Sequence, residues 1–271
     1  FVADVRHERK QGARLCLTSR VLGADALPAD LKIAWSVPRI EGVPAAGAEE
    51  ARPNLLLISV DTLRADHLGC YGYGRPTSPN IDALAARGVL FEDVVSAAPW
   101  TLPSFGTLFT GLLPTHHRAG IGNAIEAGFG EDKDQPRGSV EHLAPSVSTM
   151  AERLAHAGYR TIGIFSNPFL DARSGIDRGF ERWLHYVNHA QAAVELAQRA
   201  LDEESAAPWF LFVHMIDPHA PYTPPSPWDE RFARRKLAEI PGYPPPIKDL
   251  RAQAPDEAMQ RLLVDLYDGE I

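Results

Sequence analysis

Residues 54–60 read N-L-L-L-I-S-V, and Asp61 follows at once. That junction constrains the fold more than any other stretch. A continuous apolar run of strand length has no polar face to turn towards water. It is predicted to be a strand buried on both faces, the habit of parallel sheets. From there strand and helix patterns alternate. Residues 78–87 read as a helix with Pro79 just inside its start, and 89–95 as a strand. A helix at 146–157 precedes a strand at 161–165, and a helix at 189–201 precedes a strand at 209–215. Repeated strand–helix units predict an α/β fold, a mainly parallel sheet sandwiched by helices. Ligands of such sheets sit at the carboxyl ends of the strands.

The flanks read differently. Residues 14–20 and 31–37 alternate as short strands, too few to stabilise a sheet alone. Residues 1–40 are therefore predicted to be the last strands of a β-sandwich, and 41–53 (E-G-V-P-A-A-G-A-E-E-A-R-P) a linker. The catalytic unit is expected to run from 54 to 271. Residues 262–271 read as an amphipathic helix with no stop signal, and the chain opens on Phe1 without a signal-peptide pattern. Both ends are thus expected to be internal to a longer protein. Ten of the 23 prolines fall in residues 208–246, which predicts a long irregular excursion. Residues 94–115 are uncharged and long enough to cross a bilayer, but Pro99, Pro103 and Pro114 would break such a helix repeatedly. They are read as buried structure near a site.

Composition narrows the function. The formal net charge is −8, which argues against a nucleic-acid footprint. An acidic chain that handles anions must gather positive charge locally, through a metal or a few basic groups. Cys16 and Cys70 make neither a disulfide framework nor a paired zinc motif.

The strand ends carry the candidate chemistry. Asp61 is a turn or capping residue, or a carboxylate placed to hold a cation. Residues 98–111 (A-P-W-T-L-P-S-F-G-T-L-F-T-G) lead a loop to Thr101, and Pro103 opens a helix. Thr101 then either caps that helix or offers a hydroxyl nucleophile where the helix N-terminus favours anions. His219 follows a strand end in I-D-P-H-A-P-Y, either solvated or placed to protonate a leaving group. Asn167 ends another strand, as a turn residue or as an amide facing substrate. His116 and His117 follow the Thr101 helix, and one of them could face the site.

At this point the chain resembles the sulfatase family within the alkaline phosphatase superfamily. The resemblance runs from about Arg52 to the C-terminus. It is carried by N-L-L-L-I-S-V-D-T-L-R-A-D-H-L-G-C-Y-G-Y, P-T-S-P-N-I-D-A-L-A-A-R-G, T-L-P-S-F-G-T-L-F-T-G and F-L-F-V-H-M-I-D-P-H-A-P-Y. The family signature is Cys or Ser, any residue, Pro, any residue, Arg. Here Thr101, Pro103 and Phe105 hold its defined positions, so an oxidisable residue and the signature arginine are both missing. The family's double Asp appears as Val60-Asp61, and its Gly-Lys-Trp-His segment as Phe165-Ser166-Asn167-Pro168.

The resemblance implies an alkaline phosphatase-like fold with Thr101 as nucleophile and His219 beside the transferred group. It also implies a divalent cation (calcium, magnesium, manganese or zinc) on Asp61 and Thr101, with Asn167 and His117 on the substrate. The expected activity is hydrolysis or transfer of phosphate esters, with sulfate esters as the second choice, of a small molecule, glycan or lipid. The alternative is an inactive relative that binds an anionic ligand. The sequence carries no cellular address and leaves membrane association open; the resemblance leans towards export.

Overall fold

The computed structural model describes residues 52–121, 141–187, 189–202, 207–245 and 255–271. The strands expected at 1–40 lie outside these, as does most of the 41–53 linker. Four strands, β1 (Leu55–Val60), β2 (Arg160–Phe165), β3 (Arg182–His185) and β4 (Trp209–Met215), form one sheet in the order β1-β4-β2-β3. All of its pairings are parallel. The described helices are α1 (Pro79–Ala85), α2 (Thr101–Thr110), α3 (Pro114–His117), α4 (Met150–His156), α5 (Ala190–Leu201) and α6 (Glu257–Glu270).

Strand parity sorts the core into two layers. Phe210 and Phe212 of β4 face one way and pack with Leu102 and Phe109 of α2 and Ala151 of α4. Leu211 and Val213 face the other way and meet Ile162 and Ile164 of β2 under Ala193 and Ala200 of α5. Local chemistry starts the helices where the chain needs them. Thr149 and Glu152 close a reciprocal capping box at α4. Asp217, in the loop after β4, accepts a 2.7 Å hydrogen bond from the Ala190 amide at the first turn of α5. That bond pins the loop to the start of α5. Gly163 is required in β2 because a Cβ there would sit 2.1 Å from Trp183 Cζ3.

Two expectations fail. β1 is not buried on both faces among the described residues: Leu55 and Leu57 meet the core, whereas Leu56 and Ile58 are 55% and 50% exposed. β1 is the edge of the described sheet, and α5 covers β4 and β2 rather than β1. Residues 89–95 form no strand, and Val89, Phe91, Val94 and Val95 are exposed. The run V-L-F-E-D-V-V is rich in strand-forming residues, but no described strand pairs with it. β3 went unread, because R-W-L-H is too short to show a period. The proline-rich excursion is irregular as expected, with short 3₁₀ turns at Trp228–Glu230 and Leu237–Glu239. No described helix is long and apolar enough to cross a membrane; within 94–115 the chain forms a loop and then α2.

Candidate active site

The two-residue period of the strands aims two strand ends at one place. Leu57, Ser59 and Asp61 share the α2 face of β1, as Phe165 and Asn167 share that of β2. The Asp61 amide extends the ladder by donating to the Met215 carbonyl at 2.9 Å. Thr62 then turns the chain sharply at φ 53°, a strained conformation for a β-branched residue. Two hydrogen bonds hold it: Thr62 Oγ1 donates to the Pro218 carbonyl, and Tyr267 Oη donates to the Thr62 carbonyl. Thr101 is the first residue of α2, after Trp100 in extended conformation. The amides of Thr101 and Leu102 have no partner within the helix, and Pro103 has no N–H to offer.

One side chain joins these pieces. Asn167 is 4% exposed, and its Oδ1 accepts from the Phe169 amide at 2.9 Å. With the carbonyl end thus fixed, Nδ2 donates to Asp61 Oδ2 at 2.8 Å and to Thr101 Oγ1 at 3.2 Å. Asp61 and Thr101, 40 residues apart in sequence, share one amide. A fourth group lies behind them. His214 is fully buried, with Nε2 3.5 Å from Asp61 Oδ2 and Nδ1 2.9 Å from Ser59 Oγ. Burial alone would push the Asp61 carboxyl up. The His214 ring, the Asn167 amide and the charge of His219 outweigh it and hold the carboxyl below the ordinary range.

His219 is exposed at the rim. Its Nδ1 donates to the Ala220 carbonyl at 2.8 Å, which leaves Nε2 as the nitrogen that can exchange a proton. His117 is not brought to the cluster. It is fully buried behind α2, where Nδ1 accepts from the Ala119 amide and Nε2 faces Thr107 Oγ1 at 3.1 Å. Phe105, in the register of the signature arginine, packs on Phe109, Phe212 and His214.

Behind the site, α6 is tied to the loop that follows β1. The buried Asp268 carboxylate accepts from His67, Tyr73 and Arg75 at 2.6, 2.7 and 2.8 Å. As potential metal donors, Asp61 and Thr101 offer hard oxygens of the type that suits magnesium, calcium, manganese or zinc. No group of three or more His, Cys, Asp or Glu side chains assembles among the described residues.

Residues 53–241 match the sequence profile of the family described as Sulfatase, most of the chain. The chain belongs to the sulfatase family. Among relatives, it is 31% identical over 149 residues to N-acetylgalactosamine-6-sulfatase of Homo sapiens. That match takes in 54% of this chain and 28% of that one. The sulfatase-family chain thus spans under a third of the length of the curated relatives it matches. Its fold is similar to that of phosphonate monoester hydrolase of Agrobacterium radiobacter. The TM-score is 0.56 at 20% identity, over 81% of this chain and 56% of that one. It is also similar to the C-terminal periplasmic domain of EcEptC from Escherichia coli, solved with zinc. There the TM-score is 0.54 at 16% identity, over 80% and 55% of the two chains. The alkaline phosphatase-like α/β fold expected from the sequence is the one observed.

Proposed function

We propose that the complete protein hydrolyses or transfers phosphate or sulfate esters, phosphate first, of a small molecule, glycan or lipid, with Thr101 as nucleophile. The observation that carries this reading is the Asn167 amide, which gathers Asp61 and Thr101 into one buried cluster at the strand ends. Asn167 orients the hydroxyl and leaves its proton free to depart. A divalent cation held by Asp61 and Thr101 would supply the positive charge that lowers the hydroxyl pKa and neutralises the anionic ester. Thr101 gives up its hydroxyl proton to solvent water, its Oγ forms a bond to phosphorus as the bond to the leaving oxygen breaks, and protonated His219 gives its proton to that oxygen. A water or acceptor alcohol then attacks phosphorus and gives its proton to His219, while the bond between Thr101 Oγ and phosphorus breaks and Thr101 regains a proton from solvent water. The N-terminus of α2 favours the anion throughout. The likeness of the fold to a periplasmic domain favours an exported location.

Phe105 supports a second reading, an anion-binding relative without turnover, because it puts an aromatic ring in the register of the signature arginine. Turnover separates the two. The complete protein should hydrolyse bis(4-nitrophenyl) phosphate with added divalent metal, and Thr101→Ala should lower the rate at least about a thousandfold with the fold intact. Wild-type-like turnover in that variant would remove Thr101 from the chemistry. No turnover by the wild type on phosphodiester or aryl sulfate would favour the binding reading.

A further inference from the structure

We infer that His214 is a positioning residue for Asp61, held by the Ser59 hydroxyl in the tautomer whose Nε2 carries the proton. The inference rests on the reading of Asp61 as a cation ligand for its consequence, though not for its geometry.

The placement follows from register. Ser59 of β1 and His214 of β4 are direct partners in the parallel pairing. Both lie on the face that carries Leu57 and Phe212, and Asp61 is the next residue on that face. A histidine here is unexpected, because its neighbours on the strand and helix are the core aromatics. Phe105 meets its ring edge-to-face at 5.0 Å, and Phe212 stacks at 6.4 Å. The ring therefore has little freedom to turn, and no solvent reaches it.

Two tautomers are compatible with the 2.9 Å contact between Ser59 Oγ and His214 Nδ1. With the proton on Nδ1, the bare lone pair of Nε2 would face an anionic carboxylate oxygen 3.5 Å away in a dry setting. Two acceptors would then repel each other where screening is weakest. With the proton on Nε2, Ser59 donates to Nδ1 and the ring points an N–H at Asp61 Oδ2. Electrostatics selects the second arrangement.

Nε2 is also one of three buried side-chain nitrogen or oxygen atoms among the described residues that make no hydrogen bond. At 3.5 Å it sits just beyond hydrogen-bond reach of Oδ2, so a small shift of the carboxylate completes the contact. Asn167 Nδ2 donates to the same oxygen. Both inner groups thus address Oδ2, and neither addresses Oδ1. His214 and Asn167 would hold the carboxylate by its inner oxygen and present the outer one to a cation. Ligating carboxylates are commonly oriented by such outer partners, whose loss typically costs 10–100-fold in metal affinity or activity.

The test uses the complete protein, with Mn2+ as the probe ion. In the metal-free wild type labelled with 15N-histidine, long-range 1H–15N correlation should show His214 protonated at Nε2. Asp61→Ala, which removes the carboxylate that selects the tautomer, should lose that preference. By calorimetry, His214→Phe, which keeps the ring packing and removes the donor, should weaken Mn2+ binding about 10–100-fold. His214→Gln, whose amide reaches a similar point, should recover most of it. An Nδ1-protonated ring in the wild type would overturn the inference, as would wild-type Mn2+ affinity in His214→Phe. If His214→Phe fails to fold, the tautomers of the wild type and Asp61→Ala still decide. Failure of the wild type to bind Mn2+ would count against the proposed function and leave the tautomers to decide this inference.

Discussion

Removing the Asn167 amide is the most informative single perturbation of the site. Asn167→Ala deletes three hydrogen bonds at once from a residue that is 4% exposed. The bond to the ionised Asp61 falls in the range of about 1.5–3 kcal/mol, and the one from the Phe169 amide is worth about 1 kcal/mol. The longer contact to Thr101 adds roughly 0.5 kcal/mol. Water can recover part of the loss, since the Asp61 side chain is 12% exposed. The expected net cost is about 2–4 kcal/mol, or roughly 5–15 °C in melting temperature for a domain of this size. Thermal and urea unfolding at pH 7.5 in EDTA would measure it without metal.

Asn167→Asp sharpens the case. Its carboxylate keeps an acceptor for Phe169 but faces Asp61 with like charge, which raises the folded-state pKa of the pair. A raised carboxyl does no harm below the ordinary carboxylate range and costs progressively more as pH rises through it. Wild-type Asp61 runs the other way: its carboxyl is depressed, so its contribution is present at neutral pH and fades on acidification. The gap between wild type and Asn167→Asp should therefore be widest near pH 8 and close towards pH 4. A melting temperature for Asn167→Ala within 2 °C of wild type at pH 7.5 would refute the reasoning. So would an Asn167→Asp variant no worse at pH 8 than at pH 4.

Two further outcomes follow from the same geometry. His219→Ala should lower turnover about 100-fold or more, as loss of a general acid does. It should barely move the melting temperature, because the ring is exposed; a large stability loss without a catalytic defect would contradict its role. Glu270 tests burial away from the chemistry. Desolvation raises its carboxyl to about 8, the charge of Asp217 adds to the shift, and the Thr223 amide opposes it. Since the folded-state pKa lies above the ordinary 4.5, the fold bears no cost below that value and an increasing one up to about pH 8. Glu270→Gln should thus gain stability over wild type across that window, by ~1–3 kcal/mol after allowing for partial exposure. Parallel pH profiles for the two proteins would contradict it.

The sequence exposed the ends of the buried strands far better than their surroundings. Asp61, Thr101 and Asn167 were each visible as polar residues breaking an apolar run, and each reached the cluster. Their contact through one amide was not visible, because it depends on strand order, which the pattern of a single chain does not give. His214 was hidden within F-L-F-V-H-M, where it read as an interruption of an apolar strand. Parity was the available signal: it shares a face with Phe212, as Ser59 does with Leu57. His117 misled for the opposite reason. Its position after the Thr101 helix suggested the site, yet α2 turns it inward against Gly106, where a Cβ would lie 2.4 Å from its ring. Residues 89–95 show that β-branched and aromatic composition alone does not make a strand; a partner must also be present.

The sheet order carries a cost in time. Among the described strands, β1 pairs only with β4, and the Ser59–His214 partners are 155 residues apart. At ordinary synthesis rates, ~8–30 s separate the emergence of the two strands. Throughout that interval an uncharged run of Leu, Ile and Val lacks its one partner among the described strands. Such segments readily pair with those of neighbouring molecules. The yield of soluble protein is therefore set by how quickly β4 is delivered to β1, and by what shields β1 on the ribosome, more than by the stability of the finished sheet.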